Sequence, residues 1–184
     1  MSNFGVNYMT PNYPVYDLGA YNVSPWTAGV VGFPDTTARW IWNTSGAATG
    51  APLNTSVQLQ YIFFSNSWYT GKIYTRADDY SKVYLNGQVV NSTNDWQNSY
   101  PVDVSIVYGY NYFIVDASNA GTSVNPAGLL FTLYNPNTGT YPVKSNSSWV
   151  YSSGQTIQPF TINYNNTCFR EGSFITCLKD GREQ

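Results

Sequence analysis

Two consecutive carboxylates, Asp78 and Asp79, are the residues of this chain best suited to chemistry. They separate two alternating segments, and the second segment ends at the dipeptide Asn86-Gly87. Carboxylate oxygens gathered at a loop can bind a hard cation such as Ca²⁺, or accept hydrogen bonds from the hydroxyl groups of a ligand. The alternative is a solvated turn, in which both carboxylates accept hydrogen bonds from nearby backbone N–H groups.

The segments on either side of the pair have the period of two that is typical of β-strands. Apolar and polar residues alternate over residues 71–77 and again over residues 82–85. Asn86-Gly87 predicts a two-residue hairpin turn, because both central residues of such a turn must tolerate positive φ. We therefore expect Asp78 and Asp79 at one end of a sandwich, beside this hairpin.

Short runs of the same kind recur along the whole chain, between Gly, Pro and Asn residues. They cover residues 38–42, 57–64, 71–76, 82–85, 88–90, 102–107, 112–117, 128–134, 148–151 and 158–164, with a further hairpin expected at 108–111. No run of ten residues has a helical period, so the sequence predicts an all-β antiparallel jelly-roll β-sandwich. The expected domains are an irregular N-terminal arm (1–25), the sandwich (26–167) and a short C-terminal extension (168–184).

The expected core consists of alternate residues within each predicted strand, because one face of each strand should be buried. The residues predicted to be buried are Trp40, Trp42, Leu59, Tyr61, Phe63, Val83, Leu85, Phe113, Val115, Leu129 and Phe131. Trp40 and Trp42 lie two residues apart and are expected to share one face of their strand.

Composition excludes several classes of function. Of 184 residues, only 10% are charged and the net charge is −2, without any basic run, which argues against nucleic-acid binding. No segment approaches 18 consecutive apolar residues, so no membrane-spanning segment is expected, and the N-terminus lacks the pattern of a signal peptide. The chain has no His, and its first Glu is Glu171, which removes the usual catalytic acid–base groups. We expect that it is not an enzyme.

Three motifs in order resemble known sugar-binding sandwiches over residues 40–134. They are Trp40-Ile41-Trp42, the segment from Asp78 to Gly87, and Asn125-Pro126-Ala127-Gly128-Leu129-Leu130. The central segment is similar to protective-antigen-type and flocculin-like domains. The set also looks like the galactose-binding-like jelly rolls attached to bacterial rhamnosidases.

The resemblance carries implications for the site. In such families the acidic pair flanks a cis peptide and holds Ca²⁺, with an Asn and loop carbonyls completing the shell. Asn86 and Asn94 are both candidates for that Asn. Trp96, in a polar loop, is a candidate for stacking on a sugar ring, and the alternative is that it packs against the protein.

The composition changes near residue 167, where Cys, Glu, Lys and Arg become frequent. The segment 167–178, TCFREGSFITCL, resembles the opening of a Hint domain, the self-cleaving module of hedgehog proteins and inteins. The resemblance makes Cys168 the counterpart of the attacking nucleophile. The module also needs a downstream His, so an inactive remnant is expected. Other interpretations of Cys168 and Cys177 are buried free thiols or a local disulfide.

Two functions remain open at this point. The first is a non-catalytic structural or assembly role, most naturally in a virion capsid or appendage, with other protein subunits as partners. A composition typical of extracellular proteins, without an export signal, indicates a virion or extracellular surface as the location. The alternative is a Ca²⁺-dependent, lectin-like carbohydrate-binding or adhesion module whose partners are glycans.

Overall fold

A computed structural model describes residues 12–27, 32–152, 167–171, 174–179 and 182–183. Its strands are β1 (Asn12–Pro14), β2 (Tyr16–Ala20), β3 (Arg39–Trp42), β4 (Thr55–Ser65), β5 (Tyr69–Asp78), β6 (Tyr80–Leu85), β7 (Gln88–Thr93), β8 (Val102–Ile106), β9 (Gly109–Asn119), β10 (Gly128–Asn135), β11 (Thr140–Lys144), β12 (Val150–Ser152), β13 (Thr167–Glu171), β14 (Phe174–Lys179) and β15 (Arg182–Glu183). Within these residues there is no helix with the length and apolarity needed to cross a membrane.

The strands form two antiparallel sheets. One sheet has the order β1-β12-β4-β9-β6-β7, and the other has the order β2-β3-β10-β5-β8, with β11 paired to β10. The eight strands from β3 to β10 switch sheets at every connection except the β6–β7 hairpin, which is the arrangement of a jelly roll and confirms the predicted fold class. The hairpin between β6 and β7 is also confirmed, with φ of 49° at Asn86 and 83° at Gly87.

The main core lies between the two sheets. Nine of the eleven predicted core residues are buried, while Tyr61 and Phe63 are half-buried and pack against the same core. Trp40 and Trp42 are both buried, as predicted, but they join different clusters. Trp40 belongs to a second cluster with Trp26, because the segment before β3 covers the outer face of this sheet.

Two features differ from the sequence prediction. Residues 12–20 are not an irregular arm, because β1 pairs with β12 in one sheet and β2 pairs with β3 in the other. The turn at 108–111 does not join a hairpin, since β8 pairs with β5 and β9 pairs with β4 and β6. Edge pairing and a crossover between sheets depend on contacts distant in sequence, which a local pattern does not contain.

The C-terminal stretch forms a sheet of its own. β13, β14 and β15 pair with one another, and Cys168 lies opposite Cys177 in the register of β13 and β14. The predicted strand at 158–164 and the expected arm residues 1–11 lie outside the described residues.

Candidate functional site

The chain crosses from one sheet to the other at Asp78 and Asp79, which together are called the Asp corner below. Asp78 is the last residue of β5 and lies opposite Gly128 of β10, whereas Tyr80 begins β6 in the facing sheet. Both Asp side chains are half-buried. The peptide bond between them is cis, in agreement with the resemblance to sugar-binding sandwiches.

Each carboxylate accepts one hydrogen bond from a distant part of the chain. Trp26 Nε1 donates to Asp78 Oδ2 at 2.7 Å, and the backbone N–H of Ala120 donates to Asp79 Oδ2, also at 2.7 Å. The backbone N–H of Asp79 donates to the carbonyl of Ser118 at 3.2 Å. These bonds fix the orientation of both carboxylates, and each protein donor occupies only one carboxylate oxygen.

Packing holds Trp26 in position for this hydrogen bond. Its ring stacks on that of Trp40, with centroids 4.3 Å apart and planes 17° from parallel. Gly128 lies under both rings, and a Cβ atom there would stand 2.9 Å from each of them. Glycine is therefore required at this position by close approach, since the stacked rings have no room for a side chain.

Burial is the largest influence on the ionisation of Asp78. It raises the pKa of the carboxyl from 3.8 to about 6; the Trp26 hydrogen bond opposes this rise, and the charge and hydrogen bonding of Asp79 add to it. The raised pKa therefore reflects partial burial of Asp78 and, to a smaller extent, the neighbouring carboxyl group of Asp79. A divalent cation between them would offset the repulsion by Asp79, which adds to the effect of burial on the pKa of Asp78.

The loop between β7 and β8 lies at the same end of the sandwich. The carbonyl of Asp95 accepts a hydrogen bond from the N–H of Ala77 at 3.3 Å, next to the Asp corner. Asn94 is exposed and follows Thr93, which pairs with Ser81 in β6. Trp96 is half-buried and packs against the cluster of Trp26 and Trp40, in line with the packing alternative.

Asn86 is not part of this arrangement, so the expectation that the Asp corner lies beside the Asn86-Gly87 hairpin is wrong. β6 runs straight between the two, and its six residues span roughly 20 Å. At the far end, Asn86 Oδ1 accepts the N–H of Tyr112, and Asn86 Nδ2 donates to Asn111 Oδ1 at 2.9 Å. Asn86 is a turn-bracing residue and cannot reach a cation bound at the Asp corner.

The oxygen donors of the corner suit Ca²⁺, which takes carboxylate, amide and backbone carbonyl ligands. Each carboxylate of the pair keeps an oxygen that neither Trp26 nor Ala120 contacts. No group of three or more His, Cys, Asp or Glu side chains comes together in the part of the chain that the structure describes. Amide oxygens, carbonyls, water or ligand hydroxyls would have to complete the coordination.

Sequence reasoning found the acidic pair but missed Trp26 and Ala120. Trp26 lies 52 residues before its acceptor in a segment without periodicity, and Ala120 contributes only a backbone N–H. Neither residue carries a local signal. The motif at Asn125–Leu130 was the nearest indication, because it contains the glycine that accommodates Trp26.

Solved structures with a similar fold include a lectin and a glycosidase. The lectin from Pleurotus ostreatus in complex with GalNAc has a TM-score of 0.59 and 15% identity, over 83% of this chain and 42% of the lectin. The α-L-rhamnosidase from Streptomyces avermitilis, complexed with L-rhamnose, has a TM-score of 0.57 and 18% identity, over 93% of this chain and 16% of the enzyme. At such identities the likeness shows the fold alone.

No protein-family model and no curated protein sequence matches the chain. The likeness to solved structures agrees with the predicted sugar-binding type of sandwich at the level of fold. The resemblance of residues 168–184 to a Hint domain stays a prediction.

Proposed function

We propose that this chain is a non-catalytic carbohydrate-binding module that holds a sugar through Ca²⁺ at the Asp corner. The observation that carries the proposal is the contact between the two carboxyl groups at the crossover of the jelly roll. Their positions are fixed by Trp26 and Ala120, and the pKa of Asp78 is raised to about 6. Two adjacent carboxylates kept partly out of water repel each other, and a divalent cation offsets that cost.

Asp78 and Asp79 would bind the cation directly through the oxygens that Trp26 and Ala120 do not occupy. Asn94 is the remaining candidate for an amide ligand, since Asn86 lies at the other end of β6. The Ca²⁺ ion would supply a charged centre to which vicinal sugar hydroxyls bind in place of water. Trp96 is assigned a supporting role, because it packs in the cluster that holds Trp26.

The fold neighbours favour this function over the expected role as a virion subunit. The two structures described above share the sandwich and were solved with GalNAc and with L-rhamnose. The chain spans less than half of the lectin and about a sixth of the rhamnosidase, so the activity of those whole proteins does not transfer to it. A structural role with subunit partners at a virion or extracellular surface stays a prediction without support from these comparisons.

The test is a glycan array probed with the full chain, in 1 mM Ca²⁺ and in EDTA. We expect the chain to bind some glycans in Ca²⁺ that it does not bind in EDTA, and we expect the Asp79→Asn variant to lose this Ca²⁺-dependent binding. Asp103→Asn is the matched control, because Asp103 forms an exposed ion pair with Lys72 away from the corner. Breaking such a pair costs at most about 1 kcal/mol and should leave glycan binding intact.

Thermal unfolding gives a second readout that does not require the correct sugar. A ligand bound only by the folded state raises the melting temperature, so millimolar Ca²⁺ should stabilise the wild-type chain and the Asp103→Asn variant but not Asp79→Asn. If Ca²⁺ leaves the melting temperature of the wild-type chain unchanged, the cation site is wrong and the structural interpretation of the corner stands.

A further inference from the structure

The end of the sandwich opposite the Asp corner carries a group of exposed aromatic and aliphatic side chains, called the aromatic end below. Its members come from the end of β4, the β4–β5 turn, the β8–β9 turn and the start of β9. They are Ile62, Phe64, Trp68, Tyr108 and Tyr110. Trp68 is the most exposed of them, at 71%. A contiguous exposed apolar patch on a soluble domain usually marks a binding surface.

A cleft of about 260 Å³ opens at this end. Phe64, Tyr69 and Pro142 supply apolar walls, and Asn66 and Asn135 supply amide groups. Trp68 is exposed and lies in the chain between Ser67 and Tyr69, which both line the cleft. Apolar walls with a few amide and hydroxyl groups are the usual lining of a small-ligand site.

Aromatic contacts connect the cleft to the core beneath it and to the neighbouring turn. Phe63, which also lines it, stacks on Phe113 with centroids 5.7 Å apart. Phe64 makes edge-to-face contacts with Tyr108 and Tyr110, and its ring centroid lies 5.8 and 5.3 Å from theirs. A preformed surface of this kind binds with little loss of conformational entropy.

Asn111 and Ser65 fix the turns that carry these aromatic residues. Asn111 Nδ2 donates to the carbonyls of Val107 and Gly109, and Ser65 Oγ donates to the carbonyl of Ser67 at 2.7 Å. Side-chain hydrogen bonds to backbone carbonyls therefore stabilise both turns at the aromatic end.

Charge distinguishes this surface from the opposite end. The four segments that meet here, residues 62–71, 86–90, 107–111 and 134–142, contain no Asp, Glu, Lys or Arg. Phosphate, carboxylate and sulfate groups would find no counter-charge in them. A neutral ligand with apolar C–H faces and many hydroxyl groups matches the aromatic rings and the amides together.

We infer that the aromatic end is a second carbohydrate-binding surface, which takes a neutral oligosaccharide or polysaccharide without a metal ion. Sugar rings would stack on Trp68 and Phe64, and Asn66 and Asn135 would hydrogen-bond to their hydroxyl groups. β6 alone separates the two ends by roughly 20 Å, so each end can bind independently of the other. The inference extends the proposed function but does not require the Asp corner to bind Ca²⁺.

Affinity electrophoresis of the full chain in EDTA, through gels containing mannan, β-1,3-glucan or xylan, tests the inference. We expect retardation by at least one polysaccharide and about a tenfold loss of affinity in Trp68→Ala and Phe64→Ala. Tyr100→Ala is the control, because Tyr100 is equally exposed but precedes β8 at the opposite end. Asp79→Asn should also bind normally in EDTA, which separates this site from the Asp corner.

Three outcomes would overturn the inference. The first is a wild-type chain that migrates unretarded in all three gels. The second is equal retardation of Trp68→Ala and the wild-type chain, with unchanged melting temperatures. The third is a concentration-dependent dimer in sedimentation that Trp68→Ala abolishes, because the surface would then be a contact between two copies. Loss of Ca²⁺-dependent array binding alone would refute the proposed function and leave this site standing.

Discussion

Trp26 donates a 2.7 Å hydrogen bond from its indole Nε1 to the carboxylate of Asp78, 52 residues further along the chain. This bond joins the second aromatic cluster on the outer face of one sheet to the acidic pair at the crossover between sheets. The indole has two roles, since its ring packs on Trp40 and its N–H stabilises the ionised form of Asp78.

Replacing Trp26 by Phe should separate these two roles. Phe keeps an aromatic ring beside Trp40 but has no donor, so the pKa of Asp78 should rise further and Ca²⁺ affinity should fall. Loss of a hydrogen bond to a charged group should lower the free energy of unfolding by roughly 1–3 kcal/mol at pH 7.5. Calcium titration and urea unfolding measure both effects. The control is Trp96→Phe; an equal loss of Ca²⁺ affinity there would argue against a specific role for the Trp26 N–H.

Gly128 should tolerate no side chain. A Cβ at this position would lie 2.9 Å from both Trp26 and Trp40, so Gly128→Ala must displace the stacked rings. Overpacking of this kind costs about 1–3 kcal/mol, and it should also weaken Ca²⁺ binding by moving the Trp26 N–H. Gly46→Ala is the matched control, because an added Cβ there meets nothing within 4 Å. Urea unfolding measures the free energy of unfolding of both variants. Equal values would show that the stacked rings can move aside to accommodate a side chain at residue 128.

The raised pKa of Asp78 makes the free energy of unfolding depend on pH. Burial raises that pKa to about 6 from 3.8, so between these values the folded chain binds more protons than the unfolded chain. The contribution is fully present below pH 3.8 and is lost as pH rises through 6, in buffer free of divalent cations. We therefore expect the free energy of unfolding of the wild-type chain, measured relative to that of Asp78→Asn, to fall from pH 4 to pH 7.

Calcium should reverse this loss at neutral pH. The ion binds the ionised carboxylates, so the increase in melting temperature on adding Ca²⁺ should be larger at pH 7.5 than at pH 5. Melting curves of wild type and Asp78→Asn across this range, with EDTA or with Ca²⁺, provide the measurement. A difference between the two chains that stays constant with pH would show that Asp78 does not titrate in this interval.

Leu85 tests the assignment of the inner face of β6. It is buried in the main core, and Leu85→Ala should lower the free energy of unfolding by about 2–5 kcal/mol. Val89, which is exposed on β7, is the control, and Val89→Ala should cost less than about 0.5 kcal/mol. Denaturant unfolding distinguishes the two, and similar costs for both variants would mean that the face is wrongly assigned.

The C-terminal segment should be chemically inert. Because the chain contains no His to assist Cys168, it should remain one piece during incubation with thiols at neutral pH. Intact-mass spectrometry after such an incubation is the measurement. A product ending at Thr167 would contradict the interpretation of residues 168–184 as an inactive remnant.

The sequence by itself determined the features that depend on neighbouring residues. Strand period, the positive-φ turn at Asn86-Gly87 and the position of Asp78-Asp79 between two strands all follow from spacing along a few residues. The inner parity of β4, β6 and β9 was equally clear, because one face of each strand packs between the sheets. These local rules were sufficient for the all-β sandwich and for the acidic pair.

Only the tertiary structure decided which residues surround that pair. Asn86 is seven positions from Asp79 in sequence, yet a straight strand carries it to the other end of the sandwich. Trp26 and Ala120 are remote in sequence and reach the pair because the segment before β3 and the end of β9 pack beside the crossover. Such contacts depend on how whole sheets and covering segments pack, and packing between distant segments leaves no periodic signal in the chain.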